Sequence, residues 1–224
     1  MRGEIFNRFQ FLLSVFCYLP TLIYGQNFTD QTLVAGIDFT HIGGGADKTN
    51  ILEAHGSGAA FFDADSDGDL DLYLVNGSTF STYGHSEPNK FYQNKNGVFL
   101  DATNTSGLGD RGWGAGVAIA DINSDGNLDV FLSNFGPNAM YFNSGRGEFS
   151  SRNTGSEGDD FSASAAFFDY DLDGDLDLFV TNYVNPEIDL TSGKSPPWDP
   201  CVYLGGLRVF CGPVGLLEGL DRFY

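Results

Sequence analysis

Apolar positions in this chain fall in short runs, and the runs recur. Leu72-Tyr-Leu-Val75, Val130-Phe-Leu-Ser133 and Leu178-Phe-Val-Thr181 are four-residue stretches rich in β-branched and aromatic residues. Such runs predict strands. Upstream of each lies a second run with many small residues: His55-Gly-Ser-Gly-Ala-Ala-Phe-Phe62, Trp113-Gly-Ala-Gly-Val-Ala-Ile-Ala120 and Phe161-Ser-Ala-Ser-Ala-Ala-Phe-Phe168. Glycine, alanine and serine at positions 56, 58, 60, 114, 116, 118, 162, 164 and 166 suit a strand crowded by its neighbours. After each apolar run stands an asparagine, Asn76, Asn134 or Asn182, which reads as a strand-exit turn residue. No sustained 3.6-residue period follows Gly25, which excludes stacked helix pairs.

Further along each unit, Asn89-Lys-Phe-Tyr92 through Phe99 matches Asn138-Ala-Met-Tyr141 through Phe149, each a strand, an Asn/Gly turn and a strand. That pattern predicts a hairpin. Phe99-Leu-Asp101-Ala-Thr103 ends at Gly107-Leu108, and Phe28-Thr-Asp30-Gln-Thr32 ends at Gly36-Ile37 with the same offsets. The segment from Phe28 is therefore expected to be the last strand of a unit. Four strands per unit in tandem predict an all-β fold, a β-propeller of four-stranded blades, with repeats near 53–110, 111–158 and 159–224. The third unit carries an insertion between Asn182 and Asp221 with five prolines, Trp198 and two cysteines. Asp221-Arg-Phe-Tyr224 then takes the place of Asn89-Lys-Phe-Tyr92, so the chain reads as a truncated propeller, since three blades cannot close a ring.

Between the two strands that open each unit lies an acidic loop. The copies are Asp63-Ala-Asp65-Ser-Asp67-Gly68-Asp69-Leu-Asp71, Asp121-Ile-Asn123-Ser-Asp125-Gly126-Asn127-Leu-Asp129 and Asp169-Tyr-Asp171-Leu-Asp173-Gly174-Asp175-Leu-Asp177. Their first aspartates stand 58 and 48 residues apart. Side-chain oxygens at positions 1, 3, 5 and 9, a glycine at 6 for the sharp turn, and a carbonyl at 7 make a cage for a hard divalent cation. Calcium fits an all-protein oxygen cage better than magnesium, which sheds water reluctantly. The loops are not EF-hands, because position 12 is Leu74, Leu132 or Val180 rather than a bidentate glutamate. In the second loop Asn123 replaces one carboxylate, which predicts weaker binding there. About three Ca2+ sites are expected.

The formal net charge is −19, from 11 basic and 30 acidic residues, and thirteen of the thirty lie in the loops. So acidic a chain is not a nucleic-acid binder and is repelled by anionic membrane surfaces. Residues 1–25 read as a signal peptide: Arg2 and Arg8, an apolar core from Phe11 to Leu19, Pro20, and a cleavage site after Gly25. The apolar stretch is too short for a stable membrane span. Residues 26–224 are then the propeller region. Cleavage leaves Cys201 and Cys211, an even pair that reads as one disulfide. These features place the protein outside the cytoplasm: secreted, at the cell surface, or periplasmic.

The approach strand, the Asp-x-Asp-x-Asp-Gly loop and the strand after it resemble the FG-GAP/VCBS repeats of integrin-α-type propellers. Ala35-Gly-Ile-Asp-Phe-Thr-His41, Trp113-Gly-Ala-Gly-Val-Ala118, Asn182-Tyr-Val184 and Gly205-Gly-Leu-Arg-Val-Phe-Cys211-Gly-Pro213 look like the cartilage acidic protein and ASPIC/UnbV group. The resemblance implies a seven-bladed calcium-binding propeller followed by an ASPIC/UnbV module. It also implies metal ligation by the side chains at loop positions 1, 3, 5 and 9 and by the carbonyls of Asp69, Asn127 and Asp175.

Two functions follow. The first is a non-catalytic extracellular module that presents a surface to a protein or glycan, with Phe80, Tyr83 and Trp198 as loop aromatics suited to contact. The alternative is an extracellular hydrolase or lyase acting on polysaccharide. The sequence lacks Gly-x-Ser-x-Gly, His-Glu-x-x-His and a phosphate loop, and His41, His55 and His85 share no spacing with a nucleophile. The expectation is therefore a protein that is not an enzyme.

Overall fold

A computed structural model describes residues 28–46, 48, 50–185, 201–203, 205–206, 208–209 and 217–224. The chain divides into two compact units, Met1–Gln31 and Thr32–Tyr224. Of the first, the described residues 28–31 are exposed and form no strand. The second is all-β, built from antiparallel sheets, of which the two four-stranded ones run in strict sequence order.

Blade 1 is β1 (Ala59–Phe62), β2 (Asp71–Leu74), β3 (Lys90–Lys95) and β4 (Val98–Asp101). A one-turn helix, α1 (Thr103–Ser106), leads to blade 2: β5 (Trp113–Ala120), β6 (Asp129–Phe135), β7 (Ala139–Asn143) and β8 (Phe149–Ser151). Blade 3 begins with β9 (Ser162–Phe168) and β10 (Asp177–Asn182). The insertion holds β11 (Val184–Asn185), β12 (Cys201–Val202), β13 (Arg208–Val209) and β14 (Leu217–Glu218), paired β11 with β14 and β12 with β13. Finally β15 (Arg222–Phe223) pairs with β10 as the third strand of its sheet. Meander order makes every pairing in blades 1 and 2 local, as the tandem hairpin pattern requires, while in blade 3 the insertion separates β10 from its partner β15. In blade 1 the turn is Asn96-Gly97, both left-handed (φ 57° and 88°), the geometry that matches strand twist in a tight hairpin.

The expected strand from Phe28 to Thr32 is absent. Thr32–Gly36 is a turn closed by Ile37 N–H on Thr32 O (3.0 Å) and Gly36 N–H on Leu33 O (3.2 Å), and it meets β4 through one bond, Phe99 N–H to Ala35 O (2.8 Å), rather than through a ladder. Its counterpart is α1, and both segments end on a left-handed glycine, Gly36 (φ 84°) and Gly107 (φ 82°). The shared offsets therefore encode a turn that docks on the next blade's fourth strand. A Cβ at Gly36 would lie 2.8 Å from Phe99 O, and one at Gly107 2.4 Å from Phe149 O.

Crowding of the opening strands is as expected, though confined to three glycines. A Cβ on Gly58 would stand 3.0 Å from Gly116 Cα, one on Gly114 2.2 Å from Val75 Cγ1, and one on Gly116 3.0 Å from Ala163 O. Gly56 has nothing near it. This close approach lets apolar faces interlock between blades. Phe62, Tyr73 and Phe91 pack with Leu132 and Phe149 between blades 1 and 2, while Phe131 and Met140 pack with Leu178 and Val180 between blades 2 and 3. As the second strand of the middle blade, β6 is buried along its whole length. A third cluster joins Leu52, Phe80, Trp113, Phe135 and Phe161. Phe80 belongs to it, edge-on to Trp113 at 5.1 Å, so this loop aromatic is packed rather than presented. Tyr83 is half-buried beside it, and Trp198 lies outside the described residues.

The three asparagines read as turn residues have a different task. Asn76 and Asn134 are almost wholly buried, and Asn134 and Asn182 lie within strands. The backbone N–H of each donates to the residue just before the third strand of its sheet: Asn76 to Asn89 Oδ1 (2.6 Å), Asn134 to Asn138 Oδ1 (2.8 Å), Asn182 to Asp221 Oδ1 (2.8 Å). Each amide group in turn donates to carbonyls of the crossing, as Asn134 does to Pro137 O and Asn182 to Leu220 O. They latch the crossing from second to third strand, where the backbone would otherwise leave buried groups unpaired.

Candidate metal centre

Each acidic loop joins the first and second strands of its blade, as read from the sequence, and folds the same way in all three. The carboxylate at position 1 accepts two backbone N–H groups: Asp63 from Asp67 and Gly68, Asp121 from Asp125 and Gly126, Asp169 from Asp173 and Gly174, all between 2.9 and 3.2 Å. At position 5, Asp67, Asp125 and Asp173 each accept the N–H of position 7 at 2.9–3.0 Å. These short-range bonds fold the loop on itself and aim its oxygens inward. Glycine at position 6 is left-handed each time (φ 90°, 89° and 98°).

Position 4 is left-handed too, at Ser66, Ser124 and Leu172 (φ 59°, 55° and 62°). The sequence carries no signal for this, because an exposed leucine is among the last residues expected there.

Position 9 does more than close the cage. Asp71 accepts the N–H of Ala64 (3.0 Å) and of Asn94 (2.8 Å), while Asp129 accepts those of Ile122 (3.1 Å) and Asn143 (2.8 Å). Asp177 accepts from Tyr170 (2.8 Å). Asp71 and Asp129 are almost fully buried, and they clamp the loop to the third strand of the same blade. Burial pushes the Asp71 and Asp129 carboxyls above their ordinary range, and the charges of Asp65 and Asp67, or of Asp125 and Asp121, add to the push. Asp67 goes the other way, held low first by the hydrogen bond from Lys95 and then by the Asp69 N–H. Asp125 is also held low, by the Asn127 N–H and then by Asn123.

The loops differ in how many carboxylates they gather. Oxygens of Asp63, Asp65 and Asp71 lie within 4.8 Å of one another in loop 1, as do those of Asp169, Asp171 and Asp173 in loop 3. Loop 2 gathers no such trio, with Asn123 at position 3 donating to Asp125 Oδ2 (2.9 Å). Asp177 stands outside the loop 3 trio. At position 7 the side chains of Asp69 and Asn127 are engaged elsewhere: Asp69 accepts the Asn96 N–H (3.2 Å), and Asn127 donates to Asp125 Oδ1 (2.8 Å). This leaves the backbone carbonyl as the ligand that position can offer.

The residues present fit a cation. Asp65 Oδ1 is buried and makes no hydrogen bond, an arrangement that costs free energy unless a positive charge faces it. Asp65 Oδ2 is met by a cation already, the Lys95 ammonium at 3.1 Å, which also reaches Asp67 Oδ2 at 2.7 Å.

The family model of the FG-GAP-like repeat matches residues 63–132 and again 121–180. Each window begins on the first aspartate of one loop and runs through the next loop into the strand beyond it. Together they cover just over half of the chain. The chain belongs to the FG-GAP-like repeat family. The all-β architecture of antiparallel four-stranded sheets is that of partial FG-GAP propeller blades, and the aspartate clusters could hold metal ions. Comparison with curated proteins gives no match. Among the described residues no helix is long and apolar enough to cross a membrane. Cys211, and with it the Cys201–Cys211 pairing, lies outside the described residues, as does the signal-peptide region.

Proposed function

We propose that this FG-GAP-like chain is a calcium-stabilised, non-catalytic propeller module of the ASPIC/UnbV type, exported from the cytoplasm and presenting a protein- or glycan-binding surface. The observation that carries the reading is the threefold loop, with its inward oxygens and the orphaned Asp65 Oδ1. Side chains at positions 1, 3, 5 and 9 and carbonyls at 7 would hold the ions. A bound ion would supply charge compensation in a chain of net charge −19, most of all around Asp65, Asp67 and Asp71.

A structural role for calcium is supported by where the loops sit. Loop 1 touches both its own hairpin and the next blade: Ala64 O accepts from Asn143 Nδ2 (2.8 Å) and from Gly147 N–H (3.1 Å). Ordering the loop therefore orders an interface between blades. The non-catalytic reading is supported by the loop carboxylates, which are committed to holding backbone. It is also supported by His55, which packs against Phe161 and Tyr183 at ring distances of 4.7 and 5.8 Å.

The test is a melting curve of the chain in millimolar calcium and in chelator, followed by incubation of the calcium-loaded protein with polysaccharides. The reading expects a higher melting temperature in calcium and no glycan cleavage. Equal melting of a folded protein in both buffers overturns the calcium part. Cleavage abolished by changing an Asp, Glu or His outside the loops overturns the non-catalytic part.

A further inference from the structure

The three loops share backbone geometry, yet among the described residues only the first makes a salt bridge. Lys95, the last residue of β3, extends its ammonium to Asp65 Oδ2 (3.1 Å) and Asp67 Oδ2 (2.7 Å), positions 3 and 5 of loop 1. Gln93 Nε2 reaches the same Asp65 oxygen from two residues earlier on the strand. Because Asn94 and Asn143 make the same N–H bond to the ninth aspartate, Lys95 and Gln93 correspond to Ser144 and Phe142 of blade 2. Among the described residues no lysine or arginine forms a salt bridge with a carboxylate of loop 2 or loop 3; Arg152, held over the Phe142 ring, acts on Asp125 of loop 2 only at longer range.

We propose that Lys95 is a tethered competitor of calcium in loop 1: its ammonium stands against the oxygens that ligate the ion, and must withdraw before the ion is held. The proposal rests on the calcium reading above and deepens it. Asp65 and Asp67 cannot offer the same oxygens at full strength to a protein ammonium and to a divalent ion, and two cations at such spacing repel. Loop 1, with five aspartates, therefore binds calcium less tightly than its carboxylate count implies, and loop 3 fills first. The tether also gives loop 1 a counter-charge of its own, so blade 1 keeps its loop ordered when calcium is scarce. Lys95 is half-exposed, so it has solvent to move into.

Loop-resolved readout is available from Gly68, Gly126 and Gly174, whose amides donate to the first aspartate of their own loops. Calcium is titrated into the isotope-labelled chain and the three amides are followed by NMR, in the parent and in Lys95→Met and Lys95→Arg. Lys95→Met keeps the aliphatic stem and removes the charge. It is expected to move the Gly68 midpoint to about tenfold lower calcium, the effect of removing one repelling charge a few ångströms from a divalent ion in a largely hydrated site. Gly174 should stay within twofold, and Lys95→Arg should leave Gly68 near the parent value. A Gly68 midpoint unchanged or raised in Lys95→Met, with Gly174 still responding, overturns the proposal alone. No response at any of the three glycines overturns the calcium reading and the proposal with it. A second measurement needs no variant: reductive methylation of the parent chain, read by mass spectrometry, should label Lys95 several-fold faster in calcium. Lys90, paired with Asp101 at 2.6 Å away from the loops, is the control and should not change. Equal Lys95 labelling with and without calcium overturns the proposal.

Discussion

Replacing Asp129 separates the two tasks assigned to the ninth loop position. Its oxygens take the N–H of Asn143 at 2.8 Å, in a fully buried setting, and that of Ile122 at 3.1 Å, in a partly buried one. Asp129→Ala leaves both donors without a partner. A buried unpaired N–H costs about 1–3 kcal/mol, the half-covered one near the low end. Against this stands the relief of removing a carboxylate that burial disfavours. The two orphaned donors together cost about 2–4 kcal/mol, and the relief brings the net loss to about 1–3 kcal/mol without any metal. In a chain of this size that corresponds to a melting temperature lower by roughly 2–12 °C. Asp129→Asn keeps one acceptor while setting its amide group against the other donor, so it should fall between parent and alanine. The assay is urea unfolding in chelator, with an unchanged m-value required for the comparison. Repeating it in calcium adds the lost ligand, and the gap from the parent should widen. An alanine variant within about 0.5 kcal/mol of the parent in chelator, the scatter of an ordinary surface change, refutes the clamp.

Three further outcomes follow from the same geometry. Leu172 is exposed and left-handed, a conformation that costs a non-glycine residue about 1 kcal/mol, so Leu172→Asn should raise stability by about 0.5–1 kcal/mol in chelator. A loss of stability contradicts this. Phe149 lies edge-on to Phe62 and Phe91 at 6.2 and 6.1 Å between blades 1 and 2, and Phe149→Ala should cost about 3–5 kcal/mol by denaturant unfolding. A cost under about 1 kcal/mol would show that the blades do not depend on that contact. Asp71 and Asp129 have folded pKa values above their unfolded ones, so the calcium-free folded chain takes up their protons more readily than the unfolded chain. Their contribution to metal-free stability is therefore greatest below the unfolded value of about 4 and is lost as pH rises through the folded value. Calcium needs the same groups ionised, so the calcium-induced rise in melting temperature should shrink as pH falls from 7 toward 4.5. A rise that is constant with pH removes these two residues from the ligand set.

Much of the fold was legible because each blade is local. The loop between the first two strands, the Asn96-Gly97 hairpin and the crowded glycines 58, 114 and 116 each follow from a few neighbouring residues. Phe28 to Thr32 resembles a strand in sequence because its offsets match those after Phe99, but those offsets mark the glycine that ends a turn, not the strand before it. The latch asparagines read as turn residues in the sequence because polar character alone does not distinguish an exposed turn from a buried backbone partner. Asn76, inside a glycosylation sequon, donates from Nδ2 to the carbonyls of Glu87 and Pro88 and has almost no exposed surface. In the loops, ligand positions could be read from spacing. The clamp at position 9 and the reach of Lys95 could not, since both depend on strand register: Leu72 opposite Tyr92 brings the end of β3 beside the loop.

Calorimetric titration of calcium into the folded chain tests the central claim most directly. The account predicts about three equivalents bound, loop 2 the weakest, and a stability that grows with free calcium by about 2.7 kcal/mol per site at a hundredfold excess over Kd. Triple replacement of Asp63, Asp121 and Asp169 by alanine should abolish the heat. A folded chain that takes up no calcium, or one whose binding survives that triple replacement, contradicts the account.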